Sequence, residues 1–243
     1  MINSFAVSIV PPLLEEGLVK LGLGGNTADD AGDFSPGRIL SLLSKYIEEI
    51  ELFNSAYGLV KVKDRRELIV KHILDSLAPL GQIRSLTPSA IADVGSGAGL
   101  PGIPLAICMP SAEFTLIERM GRRAGFLRDV LAVLGLTNVR VEETEMEKFA
   151  VNKENGFNLV VFRSFRPLEP VILKGLFRLL APGGIIAAYK GRRESIEEEM
   201  ARVLSTTEKN KGPSIGGWEV LPLEVPFLEE ERHLLLISNT IKT

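Results

Sequence analysis

The residues best suited to chemistry lie in the segment 91–105, which reads I-A-D-V-G-S-G-A-G-L-P-G-I-P-L. Its glycines are Gly95, Gly97, Gly99 and Gly102. Glycine has no Cβ to block a close approach of the backbone and accepts positive φ, and a helix start beyond the loop offers unpaired N–H groups. The segment therefore predicts a site where main chain approaches a nucleotide-like ligand, at the carboxyl end of a first parallel strand.

Two classes of cofactor fit this loop. Gly97, Gly99 and Gly102 match the G-x-G-x-x-G fingerprint of dinucleotide binders, and Glu118 follows near the expected separation. Asp93 favours another ligand, because a carboxylate inside the strand offers nothing to a pyrophosphate but suits the α-ammonium and sulfonium of S-adenosylmethionine. S-adenosylmethionine is thus the favoured cofactor. A nicotinamide-dependent oxidoreductase and a glycine turn without ligand are the alternatives.

The loop and the segment F-T-L-I-E-R-M-G-R-R-A-G-F-L-R-D-V resemble the ribosomal RNA small subunit methyltransferase G family, also called glucose-inhibited division protein B. The resemblance extends to K-H-I-L-D-S-L at 71–77, F-R-S-F around Arg163, Y-K-G at 189–191 and E-R-H-L at 231–234. It covers the chain from about residue 54 to the C-terminus. It implies an enzyme that transfers a methyl group from S-adenosylmethionine to N7 of a specific guanine in 16S ribosomal RNA.

The resemblance also implies a set of residues that bind the methyl donor. They are Asp93, Gly95, Gly97, Leu100, Glu118, Met146, Glu147 and Arg163. Glu118 would accept hydrogen bonds from the ribose hydroxyls, and Met146 and Glu147 would lie against the adenine ring. The family usually has Asp-Ser where this chain has Glu118-Arg119, and it commonly has arginine where Glu145 stands. The ribose contact is therefore expected to involve an acid one methylene longer.

Four basic residues are candidates for contact with the target. Arg163 follows an apolar run that reads as the fourth strand, beside the first strand, where the sheet order reverses and ligands bind. We expect it, as the candidate catalytic residue, to orient the donor or the target base. Arg123, Lys190 and Arg232 are candidates to face the RNA. Because the net charge of the chain is −3, RNA must meet such a local basic patch.

The order of apolar and polar segments predicts an α/β fold of the Rossmann-like class I methyltransferase type. We expect a seven-stranded, mostly parallel sheet with a C-terminal antiparallel hairpin formed by segments 218–225 and 233–238. Residues 1–85 are predicted to be an N-terminal helical extension and residues 86–243 the methyltransferase domain. Ser35 and Asp64 are the predicted N-caps of two helices in that extension, and 22–32 is a glycine- and aspartate-rich connector.

Composition excludes several classes of function. No apolar run reaches membrane-spanning length, and the amino terminus lacks a secretory pattern, so we expect a cytoplasmic monomer without membrane or metal partners. The only cysteine, Cys108, lies in the apolar run after the loop, which excludes an internal disulfide and the nucleophile that methylation of cytosine C5 needs. Guanine N7 has a free lone pair and needs no general base. A non-catalytic ribosome-assembly factor and a small-molecule or protein methyltransferase are further alternatives.

Overall fold

The computed structural model describes residues 10–24, 35–151, 156–208 and 215–239. The strands are β1 (Ala90–Val94), β2 (Glu113–Glu118), β3 (Val139–Glu143), β4 (Phe157–Arg163), β5 (Leu180–Lys190), β6 (Ile215–Leu223) and β7 (Arg232–Asn239). The helices are α1 (Val10–Lys20), α2 (Pro36–Tyr57), α3 (Arg65–Leu68), α4 (Asp75–Leu77), α5 (Leu80–Ser85), α6 (Gly102–Cys108), α7 (Gly121–Leu134), α8 (Pro170–Leu179) and α9 (Arg193–Glu208).

The strands form one seven-stranded sheet in the order β3-β2-β1-β4-β5-β7-β6. Strands β1 to β5 are parallel, whereas β7 is antiparallel to both β5 and β6. The order reverses between β1 and β4, so the carboxyl ends of these two strands open a crevice where ligands bind in doubly wound sheets. The predicted fold class and the C-terminal hairpin are confirmed.

Both predicted helix caps form. The Ser35 side chain accepts the Arg38 N–H at 3.2 Å, with Pro36 at the first helical position of α2. The Asp64 side chain accepts the Glu67 N–H at 2.7 Å, and the Glu67 carboxylate accepts the Lys63 N–H at 2.7 Å. Each cap gives an acceptor to an N–H that has none inside its helix.

Between α3 and α4 the helix widens into a π-helical turn, Ile69–Leu74. The Asp75 N–H donates to the carbonyls of Val70 and His72 there, in place of a regular α-helical bond. Such turns are rare and are frequent at functional sites. This turn contains Lys71 and His72 and is followed by Asp75, and all three accept hydrogen bonds from Arg163.

The N-terminal helices and the sheet share one hydrophobic core, which includes Leu43 and Ile73 of the helices and Ile91 and Phe114 of the strands. Two buried tyrosines tie the helices to the sheet. The Tyr46 hydroxyl donates to the Ala98 carbonyl in the glycine loop at 2.7 Å, and the Tyr189 hydroxyl donates to the Ser76 carbonyl at 2.9 Å. The division of the chain at residue 85 stays a prediction.

Three local expectations have different outcomes. The sequence predicts that A-P-G-G closes the helix that begins at Pro170, but this segment lies inside β5, where Gly183 adopts φ +78 and the pairing with β4 shifts register. The sequence predicts that 144–149 is a loop entering a helix; these residues do form turns, and no helix follows through residue 151. Most of the connector 22–32 lies outside the described residues.

No described helix is both long and apolar enough to cross a membrane.

Candidate functional site

The glycine loop between β1 and α6 has a backbone that requires glycine. Gly95, Gly97 and Gly99 adopt φ values of +70, +59 and +95. A Cβ on Gly95 would lie 2.3 Å from a ring carbon of Phe165, which packs against the loop from the segment after β4. The loop therefore combines left-handed backbone with a close approach that other residues would block.

Glu118 fixes the second wall of this site. It ends β2, is 4% exposed, and accepts hydrogen bonds from two backbone N–H groups, that of Gly97 at 2.9 Å and that of Met120 at 2.8 Å. Each N–H uses a different carboxylate oxygen, so each oxygen keeps a lone pair for a further donor. The longer acid in place of the family's aspartate thus reaches the glycine loop and is held there by backbone.

Asp93 is the buried acid beneath the loop. One carboxylate oxygen accepts the Gly102 N–H at 2.9 Å, and the other has no hydrogen-bond partner among the described residues. Burial raises the pKa of this carboxyl to about 7, while the Gly102 N–H and the nearby charge of Arg163 oppose the rise. Asp93 therefore holds the first turn of α6 against the loop and is poised to change its charge when a cation binds close by.

A cavity of about 200 Å³, which we call the loop cavity, opens beside these groups. Four of the predicted residues line it, namely Gly95, Glu118, Met146 and Arg123. The Arg123 guanidinium also donates to the Gly58 carbonyl at 3.1 Å, which connects the cavity to the end of α2. Five predicted donor-binding residues are not part of its lining, namely Asp93, Gly97, Leu100, Glu147 and Arg163.

The segment 144–149 forms the far side of the loop cavity and is held by two arginines. Arg178 of α8 donates to the carbonyl of Met146 at 2.7 Å and to that of Phe149 at 2.8 Å. Arg166 pairs with Glu147 at 2.6 Å and lies 4.9 Å from the centroid of the Phe165 ring. Because these bonds satisfy the carbonyls of an irregular segment, Met146 is fixed without a helix.

Arg163 lies at a second cavity, of about 290 Å³, which we call the cationic cavity. Its basic residues are Lys71, Arg163, Lys190 and Arg232. The Arg163 guanidinium donates to Asp75 Oδ2 at 2.7 Å and to the Lys71 carbonyl at 3.2 Å. Lys190 and Arg232, both predicted to face RNA, line this cavity, whereas Arg123 lines the loop cavity. Ser164 lines both, so the two cavities adjoin at the end of β4.

His72 supports Arg163 from the π-helical turn. Its Nδ1 lies 3.1 Å from Arg163 Nη2, and because a guanidinium only donates, this nitrogen accepts. Burial first and the Arg163 charge second lower the pKa of His72 to about 4, so the ring is neutral near pH 7. The H-x-x-D spacing lets His72 and Asp75 meet on one helix face, but in the structure both hydrogen-bond to Arg163.

A larger cavity of about 610 Å³ lies between the start of α3 and the loop that joins β6 to β7. Its charged lining mixes bases and acids, namely Lys63, Arg66, Lys71, Asp64, Glu67, Glu229 and Glu230. It contains no residue predicted to bind the donor. The size of this cavity does not by itself indicate a chemical function.

The sequence model of the rRNA small subunit methyltransferase G family matches residues 39–217, which is most of the chain. The chain belongs to this family. A ribosomal RNA small subunit methyltransferase G of Treponema denticola is 36% identical, with 93% of this chain and 94% of the relative covered. That of Stenotrophomonas maltophilia strain K279a is 34% identical, with 95% of each chain covered. The resemblance seen in the glycine loop is thus confirmed over nearly the whole length.

Solved structures confirm the methyltransferase fold. A putative O-methyltransferase from Klebsiella pneumoniae matches with a TM-score of 0.56 at 18% identity, covering 93% of this chain and 96% of its own. The plantazolicin methyltransferase BpumL, crystallised with a substrate analogue and SAH, matches with a TM-score of 0.54 at 15% identity, covering 84% and 98%. The antiparallel β7 separates this fold from the all-parallel sheet of dinucleotide binders.

Several residues of the site escaped the prediction from sequence. Phe165 packs on Gly95, Arg178 holds the 144–149 segment, and Asp75 joins two arginines across the cationic cavity. Asp75 and Phe165 had a signal, because they lie within the K-H-I-L-D-S-L and F-R-S-F segments that carry the family resemblance. Arg178 acts through tertiary contacts that a linear pattern does not record.

Proposed function

We propose that this protein transfers a methyl group from S-adenosylmethionine to N7 of one guanine in 16S ribosomal RNA. The family match over residues 39–217 is the observation that carries the proposal. Relatives named as ribosomal RNA small subunit methyltransferase G cover nearly the whole chain. We further propose that it acts as a cytoplasmic monomer on the small subunit or its RNA.

The residues at the loop cavity fit the methyl donor. The free lone pairs of the Glu118 carboxylate suit two ribose hydroxyls, and Met146 offers backbone and an apolar side chain to an adenine ring. Asp93 has a buried oxygen without a partner among the described residues, so its charge would favour the donor's cationic end. Gly95, Gly97 and Leu100 would shape the loop, and Glu147 would complete the adenine side.

The proposed reaction requires little acid–base chemistry from the protein. When bound, the donor supplies a methyl group on a sulfonium, and guanine N7 accepts it with a lone pair that carries no proton. Positioning is therefore the main requirement. Arg163 is suited to it, because Asp75, His72 and two main-chain carbonyls hold its guanidinium at the cationic cavity, which adjoins the loop cavity. We propose Arg163 as the residue that orients the donor or the target.

The proposal is tested by transfer of labelled methyl from S-adenosylmethionine to small ribosomal subunits that lack their own N7 modification. We expect about one methyl group per subunit, recovered in the RNA. The Gly95→Asp variant should transfer none, because its side chain would overlap the Phe165 ring and fill space in the loop cavity. Donor binding without transfer to RNA would favour the assembly factor instead.

A further inference from the structure

The cationic cavity has a charge pattern that the methyl transfer itself does not explain. Among the described residues, Asp75 is the only acid that lines it, and Asp75 is 3% exposed. Both of its carboxylate oxygens accept hydrogen bonds, Oδ2 from Arg163 at 2.7 Å and Oδ1 from Arg232 at 3.0 Å. A single buried carboxylate thus joins a guanidinium from the end of β4 to one from the start of β7.

The other acids that balance this charge do not line the cavity. Lys190 pairs with Glu199 of α9 at 2.6 Å, and Lys71 pairs with Glu67 and Glu230, each at 3.1 Å. None of these glutamates is part of the lining. The side chains that face the cavity therefore present hydrogen-bond donors, while their counter-charges lie behind them.

Arg232 keeps donors available for a ligand. Its Nε donates to Asp75 and its Nη1 to the Glu231 carbonyl at 2.9 Å. Its Nη2 makes no hydrogen bond within the described part of the chain, and the side chain is 25% exposed. With Lys190 at 17% exposure on the neighbouring strand, the cavity offers fixed donors of positive charge from two strands.

Such a cavity suits a phosphate better than the base that is methylated. A donor placed on guanine N7 would occupy the lone pair that must take the methyl group, and positive charge around the purine would oppose the charge that it gains. A phosphate, in contrast, is attracted by each of these cations and can accept their hydrogen bonds. Because Ser164 lines both cavities, a phosphate in one leaves the adjoining nucleotide able to approach the other.

We propose that the cationic cavity binds a backbone phosphate of the RNA next to the target guanosine, an inference that depends on the proposed function. Arg232 and Lys190 contact the phosphate. Asp75 is a positioning residue that holds Arg232 and Arg163 at a fixed separation. The cavity thus fixes the register of the RNA and leaves recognition of the base to the region of the loop cavity.

The test is the salt dependence of binding to small subunits that lack the modification, measured by filter binding for the wild type, Arg232→Gln and Lys190→Gln. Arg140→Gln is the matched control, because Arg140 lies on the edge strand β3 and is 60% exposed. Each lost phosphate contact should lower the slope of log K against log salt by about 0.7 to 0.9. Arg140→Gln should leave the slope unchanged, and Arg232→Lys, which keeps the charge, should retain most of it.

Two further readouts separate this inference from its alternatives. Donor affinity, measured by calorimetry, should be unchanged in Arg232→Gln, and the loss of RNA affinity should be equal when adenine replaces the target guanine. A slope equal to that of the wild type, or a loss seen only with guanine present, would overturn the phosphate site. A lowered slope together with no methyl transfer by the wild type would support the phosphate site and refute the proposed function.

Discussion

Replacing Asp93 by asparagine should stabilise the protein without ligand, in a way that depends on pH. The folded pKa of Asp93 is about 7 against a reference value of 3.8. Between these values the folded state keeps a proton that the unfolded state has lost, so stability falls as pH rises from about 4 to 7. From the pKa difference, the loss is about 2 kcal/mol at pH 5 and about 4 kcal/mol at pH 8.

Asparagine resembles the protonated acid, because it keeps an acceptor for the Gly102 N–H and puts a donor at the other position. The stabilisation of Asp93→Asn should therefore be larger at pH 8 than at pH 5 by about 2–3 kcal/mol. Urea unfolding of both proteins at the two pH values measures this difference. The same variant should bind S-adenosylmethionine more weakly at pH 8, since the carboxylate charge is lost. Equal stabilisation at both pH values, or unchanged donor affinity, would refute the reasoning.

The remaining predictions concern the walls of the loop cavity. Gly95→Ala should lower donor affinity at least tenfold, because the new Cβ would overlap the Phe165 ring. Gly183→Ala is its control, since Gly183 also has positive φ, +78, but nothing within 4 Å, and should lose stability only. Arg178→Met should cost about 1–3 kcal/mol in chemical unfolding and weaken donor binding, since it releases carbonyls of the 144–149 segment. Glu118→Gln should weaken donor binding measured by calorimetry. The glutamine side chain has only one oxygen, so it cannot accept from the Gly97 and Met120 N–H groups with a separate oxygen for each. Unchanged donor affinity would exclude the ribose contact.

Local chemistry made the fold predictable. Ser35 and Asp64 are polar caps before apolar helical patterns, and both cap as expected. The apolar runs that end at Glu118 and Arg163 are strands with the expected ends. Failures occurred where tertiary contacts decide. The A-P-G-G segment continues a strand because β4 and β7 supply its partners, and 144–149 needs no helix because Arg178 satisfies its carbonyls.

The site was only partly predictable for the same reason. Sequence placed Arg163 at the end of β4 but not at the cationic cavity, because its partner Asp75 lies 88 residues away and depends on a π-helical turn with no clear signal in the sequence. Glu118 was assigned to the ribose, yet its bond to the Gly97 N–H follows from the meeting of two loops. The roles of the donor-binding residues stay predictions until donor binding is measured in variants.

The central claim is that the accepting atom is N7 of one guanine. The most direct measurement is digestion of the methylated 16S RNA to nucleosides, followed by chromatography and mass analysis of the labelled product. The account predicts 7-methylguanosine as the single labelled nucleoside. Label in any other nucleoside, such as a guanosine methylated on its exocyclic amine or a 5-methylcytidine, would contradict it.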